Sequence, residues 1–180
     1  MEEIRFENLR FCEQAMAWVK KLYYNSFPPE ERRTWSDIER LLAAASSPYN
    51  IDLILHGGEF VGFISWWQFL DFCYVEHFAV ESAWRGVGIG ARAISQFVES
   101  SLTPVVLEVE LPRNGEIAQR RIAFYLRNGF VAHPDFEYIQ PSYGDGLPSV
   151  PLMLMTARIS ENVDLKHLSR RLREVVYGVK

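Results

Sequence analysis

Between Ile51 and Val80 the hydrophobic rhythm of the chain becomes that of strands. Three apolar runs, IDLILH, FVGFISWWQFL and FCYVEHFAV, follow one another with only GGE and Asp71 between them. Short runs rich in β-branched and aromatic residues, bounded by Gly or Asp, read as strands, and a glycine turn joins neighbours into a hairpin. Strands joined so tightly run antiparallel, because a parallel return needs a crossover of about a dozen residues or more. Any fold assigned to this chain has to be built around an antiparallel meander.

Helical patterns flank it. Ala15, Met16, Val19, Leu22 and Tyr23 form an apolar stripe over residues 12–24. The prolines of SFPPEERRTW end that helix, and a second is expected from Ser36, as its cap with Glu39 completing a capping box, to about Ala45. After the meander come a helix from about Gly88 to Ser100, a buried strand PVVLEVEL, and a helix EIAQRRIAFYLRNG closed by Gly129. Residues 133–149, rich in Pro, Gly, Asp and Tyr, read as a long loop or irregular hairpin before the strand VPLMLMTAR. An amphipathic helix is expected over Asn162–Tyr177. The whole reads as one domain over residues 1–180, α+β, with a mixed and mostly antiparallel sheet flanked by helices.

Composition narrows the function. With 48% hydrophobic and 23% charged residues, long disorder is excluded. No run approaches the roughly 20 apolar residues of a membrane span, and the acidic MEEIRFENLR lacks the features of a secretory signal. A cytoplasmic protein is expected. Cys12 and Cys73, far apart and in apolar surroundings, read as reduced core residues, so neither a disulfide nor a metal site is expected. The balance of 19 basic against 23 acidic residues, net −4, gives no footprint for nucleic acid or membrane. An anionic ligand would have to be held locally, by helix N-termini and loop amides.

One stretch is suited to that. VESAWRGVGIGARAI, Val80 to Ile94, sets Gly86, Gly88 and Gly90 where a helix begins. Glycine there weakens the helix by about 1 kcal/mol per residue relative to alanine, so something other than helix stability is served. Gly86, Gly88 and Ala91 satisfy the spacing of a dinucleotide fingerprint, and Glu108 or Glu110 lies about 20 residues on. Its context does not fit, because Glu81 to Arg85 separate strand from glycine and the preceding meander is antiparallel. The alternative is a pyrophosphate loop in which the amides of Gly86, Val87, Gly88, Ile89, Gly90 and Ala91 turn inward at a helix start, with Arg85 as a further cation.

VEHFAVESAWRGVGIGARAI resembles the signature of the GNAT superfamily of acyl-CoA-dependent N-acetyltransferases. Arg85, Gly88 and Gly90 fill its R/Q-x-x-G-x-G/A pattern after Phe78-Ala79-Val80, and RRIAFYLRNGF resembles its second motif through Tyr125, Gly129 and Phe130. The resemblance spans roughly Ile51 to Met155. It implies acetyl-CoA as co-substrate, no metal, and splayed central parallel strands that admit the acyl-CoA. It also implies that the backbones of Phe78 and Val80 pair with the pantetheine arm. Many members carry an Asn seven residues before the Tyr, where this chain has Ala118. The resemblance leaves room for a homodimer.

Strict strand alternation places Tyr74, Glu76, Phe78 and Val80 on one face and Cys73, Val75, His77 and Ala79 on the other. Amine acetylation needs a deprotonated nitrogen and a stabilised leaving thiolate. Glu76 is the expected general base, provided burial raises its pKa, its alternative being to bind a cationic substrate or pair with an arginine; Tyr125 is the expected acid, its alternative a core aromatic, with the Val80 amide polarising the carbonyl. His77 reads as a satisfied core histidine. Glu108 and Glu110 either line the acceptor side or face solvent, PPEERR reads as a solvated helix start, and Trp66, Trp67, Tyr138 and Tyr143 either shape a pocket or fill the core. The reaction expected is acetyl transfer to a primary amine, small-molecule or peptide, by direct attack in a ternary complex. Its alternatives are a non-catalytic acyl-CoA-binding module and, more distantly, a nicotinamide oxidoreductase.

Overall fold

The computed structural model describes residues 3–158 and 164–179. Strands β1 (Ile4–Asn8), β2 (Tyr49–His56), β3 (Glu59–Gln68), β4 (Cys73–Val80), β5 (Val105–Glu110), β6 (Val131–Ala132), β7 (Tyr138–Gln140) and β8 (Val150–Ala157) form one sheet. Its order is β1-β2-β3-β4-β5-β8-β6, with β7 also pairing with β8. The expected meander is β2-β3-β4, and only β4 and β5 run parallel. The fold is the α+β arrangement expected. The N-terminal stretch adds a strand the sequence pattern did not announce: β1 is an edge strand whose polar residues alternate with the buried Ile4.

Helices cover both faces. On one, α1 (Met16–Ser26), α2 (Trp35–Ala43) and α5 (Leu165–Arg171) bury Leu22, Tyr23, Ile38 and Leu168 against Leu53, Phe63 and Tyr74. On the other, α3 (Ile89–Ser100) and α4 (Glu116–Arg127) bury Ile94, Phe97, Ile122 and Tyr125 against Val75, Leu107 and Met155. Helix α2 starts two residues earlier than expected. Thr34 Oγ1 accepts from Asp37 N at 3.2 Å, so Thr34 is the cap and Ser36 lies inside the first turn. The last helix turns from α to π over Leu172–Val176, and the expected start at Asn162 lies outside the described residues. The long segment after α4 contains the short strands β6 and β7. Both cysteines are free, Cys73 buried and Cys12 half-buried. Among the described residues, no helix is long and apolar enough to cross a membrane.

Two irregularities of β4 position the site. Its parallel pairing with β5 runs from Cys73–Val105 to Val75–Leu107 and then stops, so the strands part beyond Val75. On its other edge Ser65 stands opposite His77 and Trp66 opposite Val75, leaving Glu76 as the extra residue of a β-bulge. The bulge corrects the strict alternation expected. Phe78 and Val80 face the α3–α4 side, where Phe78 stacks on Phe124. Glu76 and His77 both lie with Tyr74 on the opposite side, Glu76 bonded to Arg33 and His77 packed on Tyr23 and Phe27.

Candidate active site

The parted strands enclose a cleft of about 290 Å³, lined by Val80, Arg85 and Tyr125 towards α3–α4 and by Glu31, Glu108 and Tyr143 towards the other side. Val80 is oriented by its neighbour: Glu81 N bonds Val61 O on β3 at 2.9 Å, so the N–H and C=O of Val80, and of Phe78 two residues back, face the open edge. No strand pairs with that edge beyond Val75 among the described residues. The Val80 carbonyl is already engaged, accepting from Arg85 Nε at 2.8 Å. An extended ligand therefore finds the Val80 N–H open to pair, while its C=O already holds one of the two bonds it can accept.

The glycine stretch has the form of an anion cradle. Gly86 and Gly88 sit at φ +79° and +85°, the left-handed region that side chains resist, and an added Cβ at either would meet nothing within 4 Å. These glycines answer a backbone shape, not crowding. Helix α3 has no side-chain cap, and its first bond is from Arg92 N to Gly88 O, so the N–H groups of Ile89, Gly90 and Ala91 precede it and remain available. Ile89 pins the turn by burying its side chain, whereas Val87 is exposed. At Gly90 a methyl would make only ordinary contacts, 3.7 Å to Val80 and 3.8 Å to Phe124. Ala118 is buried in packing and carries no polar group, so the contact usually made by Asn at that point is not made there. The open edge, the uncapped amides and the left-handed glycines fit an extended acyl chain ending in a pyrophosphate.

Tyr125 is buried on the inner face of α4 and lines the cleft. Its hydroxyl makes no hydrogen bond among the described residues, and burial pushes its pKa up to about 12, so it stays protonated and points its donor at whatever the cleft holds.

Glu76 is paired with an arginine, the second of its two sequence readings. Its side chain has no exposed surface. Oε1 accepts from Arg33 Nε and from the Tyr143 hydroxyl, each at 2.9 Å, and Oε2 from Trp67 Nε1 at 3.0 Å. Burial alone would raise its pKa, but Arg33 and these donors outweigh it and hold the carboxyl below its ordinary range. The rise that a base at this position needs does not occur. His77 is the satisfied core histidine expected: Nε2 lies 2.9 Å from the Glu31 carbonyl and must be the donor, leaving Nδ1 to accept from Ser65 at 3.1 Å. Burial lowers its pKa and keeps it neutral.

Glu108, half-buried at the point where β5 leaves β4, has the opposite character. Burial pushes its pKa up to about 7, and the largest opposing influences are neutral hydroxyls, with Tyr138 donating to Oε1 and Tyr177 to Oε2, the latter at 2.9 Å. Glu110, farther along β5, is paired with Arg121. Trp66 bonds Asp52 on the far side of the sheet, while Trp67, Tyr138 and Tyr143 all serve the two carboxylates. Sequence reasoning missed Arg33 and Tyr177. Arg33 lies in a stretch that reads as solvated, and the only signal was two arginines beside a proline turn near the acceptor side. Tyr177 had no signal beyond its place at the end of an apolar stripe.

The comparisons agree with this geometry. The profile of the Acetyltransferase (GNAT) family matches residues 12–130. The chain belongs to this family. A GNAT-family protein from Bacteroides thetaiotaomicron is 35% identical, with 98% of this chain and 99% of that one covered at a TM-score of 0.90. A spermidine N-acetyltransferase chimera from Vibrio cholerae and hSSAT shares the fold at 12% identity, 86% and 94% coverage and TM-score 0.62. The ribosomal-protein-S18-alanine N-acetyltransferase of Escherichia coli does so at 15% identity, 89% and 99% coverage and TM-score 0.60. No curated protein matches the chain significantly. As a GNAT acetyltransferase, the chain is an enzyme of acetyl-CoA-dependent acyl transfer. Among its described residues, no group of three or more His, Cys, Asp or Glu could hold a metal ion.

Proposed function

We propose that this GNAT acetyltransferase acetylates a primary amine by direct attack in a ternary complex, with Glu108 as general base and Tyr125 as general acid. When bound, acetyl-CoA supplies the activated acyl group. The observation that carries the reading is one cleft offering two ionisable groups of opposite aptitude: a carboxyl near pKa 7 on β5 and a protonated phenol on α4. Glu108 is matched to taking a proton at neutral pH, since a base works best when its pKa lies near the working pH. It receives the proton that leaves the attacking nitrogen as the N–C bond forms. Tyr125 gives its proton to the sulfur as the C–S bond breaks and regains one from solvent or from the spent base. The free Val80 N–H stands where it can polarise the carbonyl. Gly86 to Ala91 and Arg85 hold the pyrophosphate end, and Phe78 with Val80 aligns the arm. Glu76, the base expected from sequence, acts in this reading as the anchor of Arg33, Trp67 and Tyr143.

The spermidine- and alanine-acetylating relatives work on amines, which supports the acceptor class without naming the acceptor. The test is a screen of small amines and short peptides for CoA release, followed by initial rates with both substrates varied. Intersecting double-reciprocal lines are expected. Parallel lines would overturn direct attack, and CoA binding without release would leave only a binding module.

A further inference from the structure

The base reading leaves Tyr177 unexplained, a half-buried phenol that the end of the last described helix brings onto Glu108. Among the described residues, Glu108 is faced by Tyr74 and Glu76 from β4, Tyr138 from β7, Tyr143 from the β7–β8 connection, and Tyr177. Tyr177 places its hydroxyl 2.9 Å from Glu108 Oε2. A phenol has one proton, and Tyr177 donates it in the bond to the carboxylate, so in the contact with Tyr74, at 3.2 Å, Tyr74 is the donor.

Tyr177 reaches this point because the helix widens just before it. Tyr177 N bonds Leu172 O at 3.2 Å, one residue farther back than an α-helix allows, and such π turns commonly mark working positions. The turn is clamped from across the molecule: Arg33 Nη2 donates to Val176 O at 2.6 Å while its Nε is bound to Glu76. A continuous path runs from Glu76 through Arg33 and the Val176 peptide to Tyr177 and Glu108. It ties the buried carboxylate of β4 to the cleft carboxylate of β5.

We propose that Tyr177 is a positioning residue for Glu108: the π turn, clamped by Arg33 and Glu76, holds its hydroxyl on the carboxylate and thereby sets the proton affinity of the base. The proposal rests on Glu108 being the base, but the bond itself is measurable without catalysis. Its contribution is that of a hydrogen bond to a charged group, about one pH unit when removed.

The experiment titrates the Glu108 carboxyl in the whole protein by carbon-13 NMR, assigned by its loss in Glu108→Gln, alongside pH profiles of kcat/KM. Tyr177→Phe is expected to move the Glu108 titration, and with it the acid limb of the profile, about one unit alkaline. Site-specific replacement of Tyr177 by 3-fluorotyrosine strengthens the donor, keeps the shape, and is expected to move both acidic; it serves as the second arm if the phenylalanine variant does not fold. Arg33→Gln, which unclamps the turn, is expected to follow Tyr177→Phe. A Glu108 titration unmoved by the phenylalanine and fluorotyrosine replacements overturns the proposal. A titration that moves while Glu108→Gln retains full turnover upholds the coupling and overturns the base reading instead.

Discussion

Arg33 meets Glu76 through both Nε and Nη2, each 2.9 Å from Oε1, across 43 residues of chain. The pair favours the charged form of the β4 carboxylate and holds its pKa below the ordinary range, which weakens it as a proton acceptor. The proposed base is therefore the carboxyl of β5.

Glu108→Gln is expected to lower kcat by about 10²- to 10⁴-fold, the usual worth of a general base, with melting close to that of the wild type near pH 4.5, where the folded carboxyl is as neutral as the amide. Glu76→Gln should act mainly on stability, costing about 3 kcal/mol as Arg33 loses its buried partner. Thermal melts and steady-state rates on both variants decide the matter. A normal melt with a greater loss of kcat in Glu76→Gln would return the base to β4.

The kcat/KM of the wild type is expected to rise with pH through an acid limb near 7, where Glu108 loses its proton. That limb should vanish in Glu108→Gln, whatever limb the acceptor amine adds. A wild-type profile flat between pH 6 and 8 would contradict the assignment.

Stability carries the same signature with its own sign. The folded pKa of Glu108, about 7, lies above the value of an unfolded glutamate, so the folded state binds the proton more tightly. Stability is therefore full below the unfolded value, near pH 4.5, and declines as pH rises to about 7. Relative to Glu108→Gln, the wild type should lose on the order of 2–3 kcal/mol across that window, read from denaturant midpoints at pH 5 and pH 8.

Tyr125→Phe removes a donor without changing the packing of the ring against Phe124 and Phe130. A fall of about 10²-fold in kcat is expected, with CoA affinity held within about threefold. Equal turnover would assign the leaving-group proton elsewhere.

Gly88→Val forces a branched side chain to φ +85° and should weaken CoA binding at least about tenfold, since the strain of about 1–2 kcal/mol distorts the amide cradle. Gly90→Ala, which meets only ordinary contacts, is the milder comparison. Calorimetry with CoA that found the two variants alike would remove the phosphate grip from Gly88.

The architecture was readable wherever periodicity was strong. The β2-β3-β4 meander, α3, β5 and α4 fall within a residue or two of expectation, because each has a clear apolar pattern and a turn at its ends. Strand β1 escaped because an edge strand with one wet face alternates too weakly to stand out over five residues. In the site, the turn shape of the glycine loop and the place of Tyr125 on the cleft wall belong to local motifs and were legible. The surroundings of Glu76 and Glu108 were not, because Arg33 and Tyr177 arrive from distant segments. Counting by twos along β4 also failed at the bulge, which no residue type in CYVEHFAV signals.

That bulge gives β4 two parities. Upstream of Glu76 the odd-numbered residues face α3 and α4; downstream the even-numbered ones do. Deleting one residue there would keep nearly every side chain yet turn Phe78 and Val80 towards α1 and α5, and His77 and Ala79 towards α3 and α4. Which wall of the cleft each half of the strand presents is thus stored in a single surplus peptide unit.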